Sequence, residues 1–272
     1  RPAARARSLS TRMRLNAHLG TLFGELDPLE RPAAARAAGF DAVEAWWPPA
    51  ADPDEWIAAV RAAGVRAALV NADGGDLAAG ERGYCTVPGR EDDVLRAVCD
   101  AARVVTACGG DLVNLLVGRV DPERDARAQH DLAVSVVRAT GDEAALLGAR
   151  IVIEHLNPVD VDAPLLPTPA AAAAFVDAVG HPSVHLLFDA YHAARAGLDP
   201  LAELDAVAWR IGHVQYADAP GRGAPGTGTV DLWALLDRLD ALGYQGRVGL
   251  EFVPEGPTAE ALAPIVERAG GA

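Results

Sequence analysis

The chain has 272 residues, half of them apolar, and a formal net charge of −14. That is enough apolar material for one large core. The acidic balance excludes a surface that tracks phosphates, so no nucleic-acid partner is expected. No apolar run approaches the roughly 18 residues a membrane span needs.

The first residues, "RPAARARSLSTRM", are Arg-rich and lack the apolar centre of a secretory leader, which points to a cytoplasmic protein. Met13 is the single methionine and the first strand-like run starts just after it. Residues 1–12 therefore read as an extension outside the fold, and 13–272 as one domain. Cys85, Cys99 and Cys108 are odd in number and lack CxxC spacing, so all three read as reduced core or near-surface residues.

From there β-branched runs alternate with segments of helical period. Strands are expected at 14–18, 41–46, 65–71, 111–117, 150–155, 183–189, 210–216 and 247–252. Helices are expected near 27–38, 52–63, 91–108, 122–147, 168–179, 199–206, 231–242 and 257–268. Asp27-Pro28, Asp52-Pro53 and Thr168-Pro169 supply N-caps followed by proline. Gly39, Gly64, Gly109, Gly180 and Gly243 stand at helix stops. Eight strand–helix units define a single-domain α/β (β/α)8 TIM barrel. No G-x-G-x-x-G follows the first strand, so a dinucleotide-binding open sheet has no support. Residues 72–90 and 217–230 are longer than the barrel requires. They leave strand carboxyl ends, and their Gly, Pro and Arg content suits a lid that seeks anions.

Polar residues close four consecutive strands: Glu154, Asp189, His213 with Gln215, and Glu251. Each follows an apolar run, and in a closed barrel these ends converge on one mouth. Three carboxylates gathered there would repel unless a cation sat among them. Oxygen donors suit Mg²⁺ or Mn²⁺, and a nearby imidazole makes Co²⁺ an option.

The strings "IEHLNP", "LLFDAYH", "GHVQYADAPGR…PGTG" and "GLEFVP" resemble those of the xylose isomerase-like barrel superfamily. Within it, "LFGELDPLER" and "GERGYCTVPGRE" are similar to stretches of the hydroxypyruvate isomerases. The resemblance implies one divalent metal held by Glu154, Asp189, Gln215 and Glu251, with Glu154 and Glu251 also forming the acid/base pair. It implies substrate contact by His192 and Arg222. Gln215 stands where the superfamily's epimerases use a histidine.

The chemistry is coherent in its own right. Moving a carbonyl by one carbon removes a proton beside it, passes through a cis-enediolate, and returns a proton to the neighbouring carbon. A divalent ion stabilises the developing charge, and two carboxylates carry the proton. For hydroxypyruvate the product is tartronate semialdehyde. Its carboxylate needs a cation, which Arg222, Arg82 or Arg119 can supply. Glu44 is a candidate to accept a substrate hydroxyl bond or to pair with an arginine. His213 shares a strand face with Gln215 and is a candidate for the substrate side or for a supporting bond. Trp46 and Trp47 wall the pocket or pack beneath it.

The sequence departs from the hydroxypyruvate isomerase pattern at His155, Gly223, Ala224, Thr229 and Val253, all but the first on the substrate side. A ketose 3-epimerase or a 2-oxo-tetronate isomerase is therefore the main alternative. An abasic-site endonuclease or a non-catalytic barrel ranks lower. The partner is a small molecule, and apolar helix faces would allow a homodimer.

Overall fold

A computed structural model describes residues 15–47 and 52–270. The expected extension at residues 1–12, and Met13, lie outside them. Eight parallel strands close into one ring in chain order: β1 (Leu15–His18), β2 (Ala42–Ala45), β3 (Arg66–Asn71), β4 (Leu112–Leu115), β5 (Arg150–Glu154), β6 (Val184–Asp189), β7 (Ile211–Tyr216) and β8 (Val248–Leu250). Around them lie α1 (Arg31–Ala37), α2 (Pro53–Ala63), α3 (Glu91–Ala107), α4 (Ala126–Leu146), α5 (Pro169–Val179), α6 (Ala190–Arg195), α7 (Pro200–Val207), α8 (Leu232–Ala241) and α9 (Thr258–Gly270). Among the described residues no helix is long and apolar enough to cross a membrane.

The eight strands fall where the apolar runs place them, and two helices differ from expectation. Asp27 does not cap α1. Its carboxylate accepts the Leu29 amide at 3.0 Å and closes a turn, and the helix starts at Arg31 with Pro32 in its first turn. The short helix α6 follows β6 without a break, capped by Asp189 itself. The five stop glycines all have positive φ, from +61° at Gly180 to +98° at Gly39, where a side chain would be strained.

Alternation along each strand divides the core. Outward residues such as Ala17, Val43, Val113, Ile151, Phe188 and Val214 pack beneath the helices in one continuous cluster. Inside the ring the filling is uneven. Leu69, Leu112, Val152 and Leu187 fill the β3–β6 half. The other half holds Asn16, Glu44 and His213, all buried, and Gly249, where a Cβ would come within 2.3 Å of the Glu44 carboxylate. At the floor, Arg247 pairs with Asp41 at 2.6 Å and donates to the Asn16 side-chain oxygen at 3.2 Å.

Both long loops are tied down. In the first, the Gly83 amide donates to Gly74 and the Thr86 hydroxyl to the Arg119 carbonyl. Gly83 packs so tightly that a Cβ would lie 1.7 Å from the Leu116 carbonyl oxygen. In the second, the buried Asp218 carboxylate accepts the amides of Gly226, Gly228 and Val230 at 2.9, 2.8 and 2.8 Å. These bonds fold into turns the two segments whose composition suits an anion-seeking lid. Gly83→Ala should leave the far-UV circular dichroism unchanged but expose residues 72–90 to limited proteolysis; cleavage no faster than wild type would show that the close contact does not hold the loop.

Candidate metal and active site

The strand register delivers the four expected ligands to one place. Glu154 lies opposite Leu187, two residues before Asp189; Asp189 lies opposite Gln215; Gln215 lies opposite Gly249, two residues before Glu251. All four are buried, with Glu154 the most exposed at 6%. Ligand atoms of Glu154, Asp189 and His192 fall within 4.8 Å of one another.

Each carboxylate is held by donors from its flank. The Asn114 amide donates to Glu154 Oε2 at 2.7 Å. Asp189 Oδ1 accepts the backbone amides of Tyr191 and His192 at 2.7 and 3.1 Å, and His155 Nε2 accepts the Asp189 amide at 3.2 Å. Glu251 accepts from Trp46 Nε1 at 2.8 Å and pairs with Arg222 at 2.8 Å. Arg222, half-buried, sits at φ +55°, a left-handed conformation costing a non-glycine residue ~1–2 kcal/mol.

Crowding of like charge shows in the acidities. Burial, then the Glu251 and Asp189 charges, pushes the Glu154 carboxyl well above its usual range. Burial and Glu251 likewise raise Asp189 to about 6, against the pull of Arg222. Burial also opposes ionisation of Glu251, but Arg222 and then His18 hold its carboxyl below the ordinary value.

Gln215 provides the test of fit for a metal ion. Its amide nitrogen donates to Glu44 Oε2 at 2.9 Å. Its Oε1 is buried and has no hydrogen-bond partner among the described residues. An orphaned buried acceptor of this kind costs ~1–3 kcal/mol, and here it stands beside three carboxylates. A hard divalent cation would satisfy the amide oxygen and relieve the repulsion together, so the donor set fits Mg²⁺ or Mn²⁺. His192 belongs to the same cluster, but its Nδ1 accepts the Asn157 amide at 3.1 Å. Burial and Arg222 hold its pKa down to about 3, so the ring is neutral and, with Nδ1 accepting, Nε2 carries the hydrogen. That nitrogen lies 3.6 Å from Glu154 Oε1, and with its hydrogen in place it has no lone pair to offer an ion. His18 repeats the arrangement on the other side: Nδ1 accepts the Gly20 amide, and Nε2 lies 3.6 Å from Glu251 Oε1.

The remaining candidates separate by depth. Glu44 is fully buried and meets neither an arginine nor the pocket. Its Oε1 accepts from Asn16 at 2.9 Å and lies 2.7 Å from His213 Nε2. His213 is therefore one layer below the mouth. Arg119 pairs with Asp162. Among the described residues Arg82 donates to the Leu77 and Glu81 carbonyls, at 2.9 and 2.6 Å. His18, Asn16, Asn114 and Asn157 were not singled out from sequence, although polar residues inside apolar strands ("LNAH", "LVNLL") were a usable signal for the first three.

A family model described as xylose isomerase-like TIM barrel matches residues 32–267. A putative hydroxypyruvate isomerase from Streptomyces coelicolor is 41% identical, covering 92% of this chain and 94% of that protein. A 2-oxo-tetronate isomerase from Cupriavidus necator is 32% identical, covering 92% of this chain and 96% of that protein. Among solved structures, an AP endonuclease family 2 protein from Brucella melitensis superposes with a TM-score of 0.88 at 30% identity, covering 93% of this chain and 98% of that one. The chain thus belongs to the xylose isomerase-like TIM barrel family. With hydroxypyruvate and 2-oxo-tetronate isomerases matching nearly its whole length, it is an isomerase of the intramolecular oxidoreductase class.

A stability prediction follows from the raised acidities. Asp189 titrates near 6 in the folded chain and near 4, roughly, when unfolded, so the native state binds the extra proton between these values. That contribution is full at low pH and is lost as pH rises through about 6. In EDTA the Tm should fall between pH 5 and pH 7.5, and Mn²⁺ should raise it more at pH 7.5. An equal Mn²⁺ effect at both pH values would contradict the crowded-carboxylate account.

Proposed function

We propose that the chain interconverts hydroxypyruvate and tartronate semialdehyde, with Glu154, Asp189, Gln215 and Glu251 holding one Mg²⁺ or Mn²⁺. The observation that carries this reading is the unpartnered Gln215 oxygen buried beside three carboxylates. A divalent cation held there would supply Lewis-acid stabilisation of the charge that develops on the two adjacent substrate oxygens.

The protein's own groups do the rest. One of Glu154 and Glu251, on opposite sides of the mouth, takes the C3 proton, and a proton is returned to C2. The hydroxyl proton moves from O3 to O2, so the atoms balance. Glu251 is held ionised by Arg222 and Trp46, the state a proton acceptor requires. His192, fixed by Asn157, offers its Nε2 hydrogen to a substrate oxygen on the Glu154 side. Of the three candidate cations for the substrate carboxylate, Arg222 is committed to Glu251 and Arg119 to Asp162. Arg82 has only carbonyl partners among the described residues. Its field reaches His192, and Glu154's charge reaches it, so it lies within electrostatic range of the site. Arg82 is the group that reads the substrate carboxylate.

The 32% identity with a 2-oxo-tetronate isomerase supports a second reading, in which the substrate is the keto acid one carbon longer. The same machinery serves both.

The direct test is incubation of the protein with Mn²⁺ and each keto acid in D₂O. Deuterium should enter at the carbon beside the carbonyl, and Glu154→Gln and Glu251→Gln should each slow exchange by about 10²–10⁴-fold. Absence of exchange with every C3 to C6 keto acid and ketose would overturn the assignment. Separately, Arg82→Gln should raise KM for the keto acid at least about tenfold while leaving turnover of any neutral ketose unchanged. An equal effect on both would remove Arg82 from carboxylate recognition.

A further inference from the structure

We infer that Glu44 is a positioning residue that fixes which end of the Gln215 amide faces the metal position. This rests on the metal-centre reading above and concerns a residue expected at first to touch substrate.

A glutamine is an ambiguous ligand. Rotating its terminal amide by a half-turn exchanges a carbonyl oxygen, which binds a hard cation, for an NH₂ group, which repels one. Something must choose. Among the described residues the Gln215 amide makes one hydrogen bond, to Glu44 Oε2 at 2.9 Å, and a carboxylate oxygen accepts there. It therefore takes the NH₂ end and turns Oε1 the other way, into the space where that oxygen has no protein partner among the described residues.

Glu44 can impose this choice because it is held. Its Oε1 is occupied by Asn16 at 2.9 Å and His213 at 2.7 Å, so Oε2 is left for Gln215. The carboxylate also fits only because residue 249 has no side chain, since a Cβ there would lie 2.3 Å from Glu44 Oε2. Asn16, Glu44, His213 and Gly249 come from four strands, β1, β2, β7 and β8. Their joint arrangement leads to one outcome, the orientation of one amide.

Substitutions at the pair separate this role from simple packing. In Glu44→Gln the new side chain has one acceptor oxygen. Keeping it against Asn16 and His213 places NH₂ opposite the Gln215 NH₂, and the Gln215 amide must turn over. Mn²⁺ affinity, measured by calorimetry and by the electron paramagnetic resonance of bound Mn²⁺, should fall about 10–100-fold. Gln215→Glu puts two carboxylates face to face and should also weaken Mn²⁺ binding. In the double variant Glu44→Gln with Gln215→Glu, the amide now donates to the carboxylate, a carboxylate oxygen faces the ion, and affinity should return to within about threefold of wild type. A double variant no tighter than the single ones, or a Glu44→Gln variant that binds Mn²⁺ like wild type, would overturn the inference. Wild-type protein that binds no Mn²⁺ at all would instead overturn the metal-centre reading.

Discussion

Repulsion among Glu154, Asp189 and Glu251 is the constraint around which this barrel's mouth is organised. Three carboxylates buried at the ends of β5, β6 and β8 cannot all ionise unaided. The chain answers in two ways. Arg222 stabilises Glu251 from the rim, from a left-handed backbone conformation. Asn114 and the first amides of α6 support the other two. What remains unsatisfied is an amide oxygen and an excess of negative charge, and one doubly charged ion would meet both.

The lower half of the interior serves the upper. An ordinary barrel core is a set of layers of branched apolar side chains. Here β3 to β6 keep that pattern with Leu69, Leu112, Val152 and Leu187, while β1, β2, β7 and β8 replace it with a buried polar network. Burying Asn16, Glu44 and His213 is costly unless each is satisfied, and the bond pattern shows that they satisfy one another. Arg247 continues the network to the floor, where Asp41 meets it at the surface. The fold thus gives up apolar packing in one half for a polar network that ends on the Gln215 amide.

Much of this was legible in the sequence. Val- and Ile-rich runs with glycines at helix stops gave all eight strands, because hydrophobic period and positive-φ glycine are local signals. The acids at Glu154, Asp189 and Glu251 stood out because each ends an apolar run. What could not be read was partnership at a distance. Glu44 in "AVEAW" gains its meaning from His213 and Gln215 on β7, far along the chain and brought near only by closure of the ring. Asp27 looked like a helix cap because Asp-Pro is one, yet its carboxylate closes a turn before α1. The helix α6 escaped notice because its cap, Asp189, is also the end of a strand. The pairing of Arg222 with Glu251 and of Arg119 with Asp162 likewise joins residues far apart in the chain.

The central claim is that one ion binds to four named oxygen donors. A crystal structure of the Mn²⁺-loaded protein, with anomalous diffraction at the manganese edge, tests it most directly. The account predicts a single strong peak at about 2.0–2.3 Å from carboxylate oxygens of Glu154, Asp189 and Glu251 and from Gln215 Oε1. A peak elsewhere, or one that excludes the Gln215 oxygen, would contradict it.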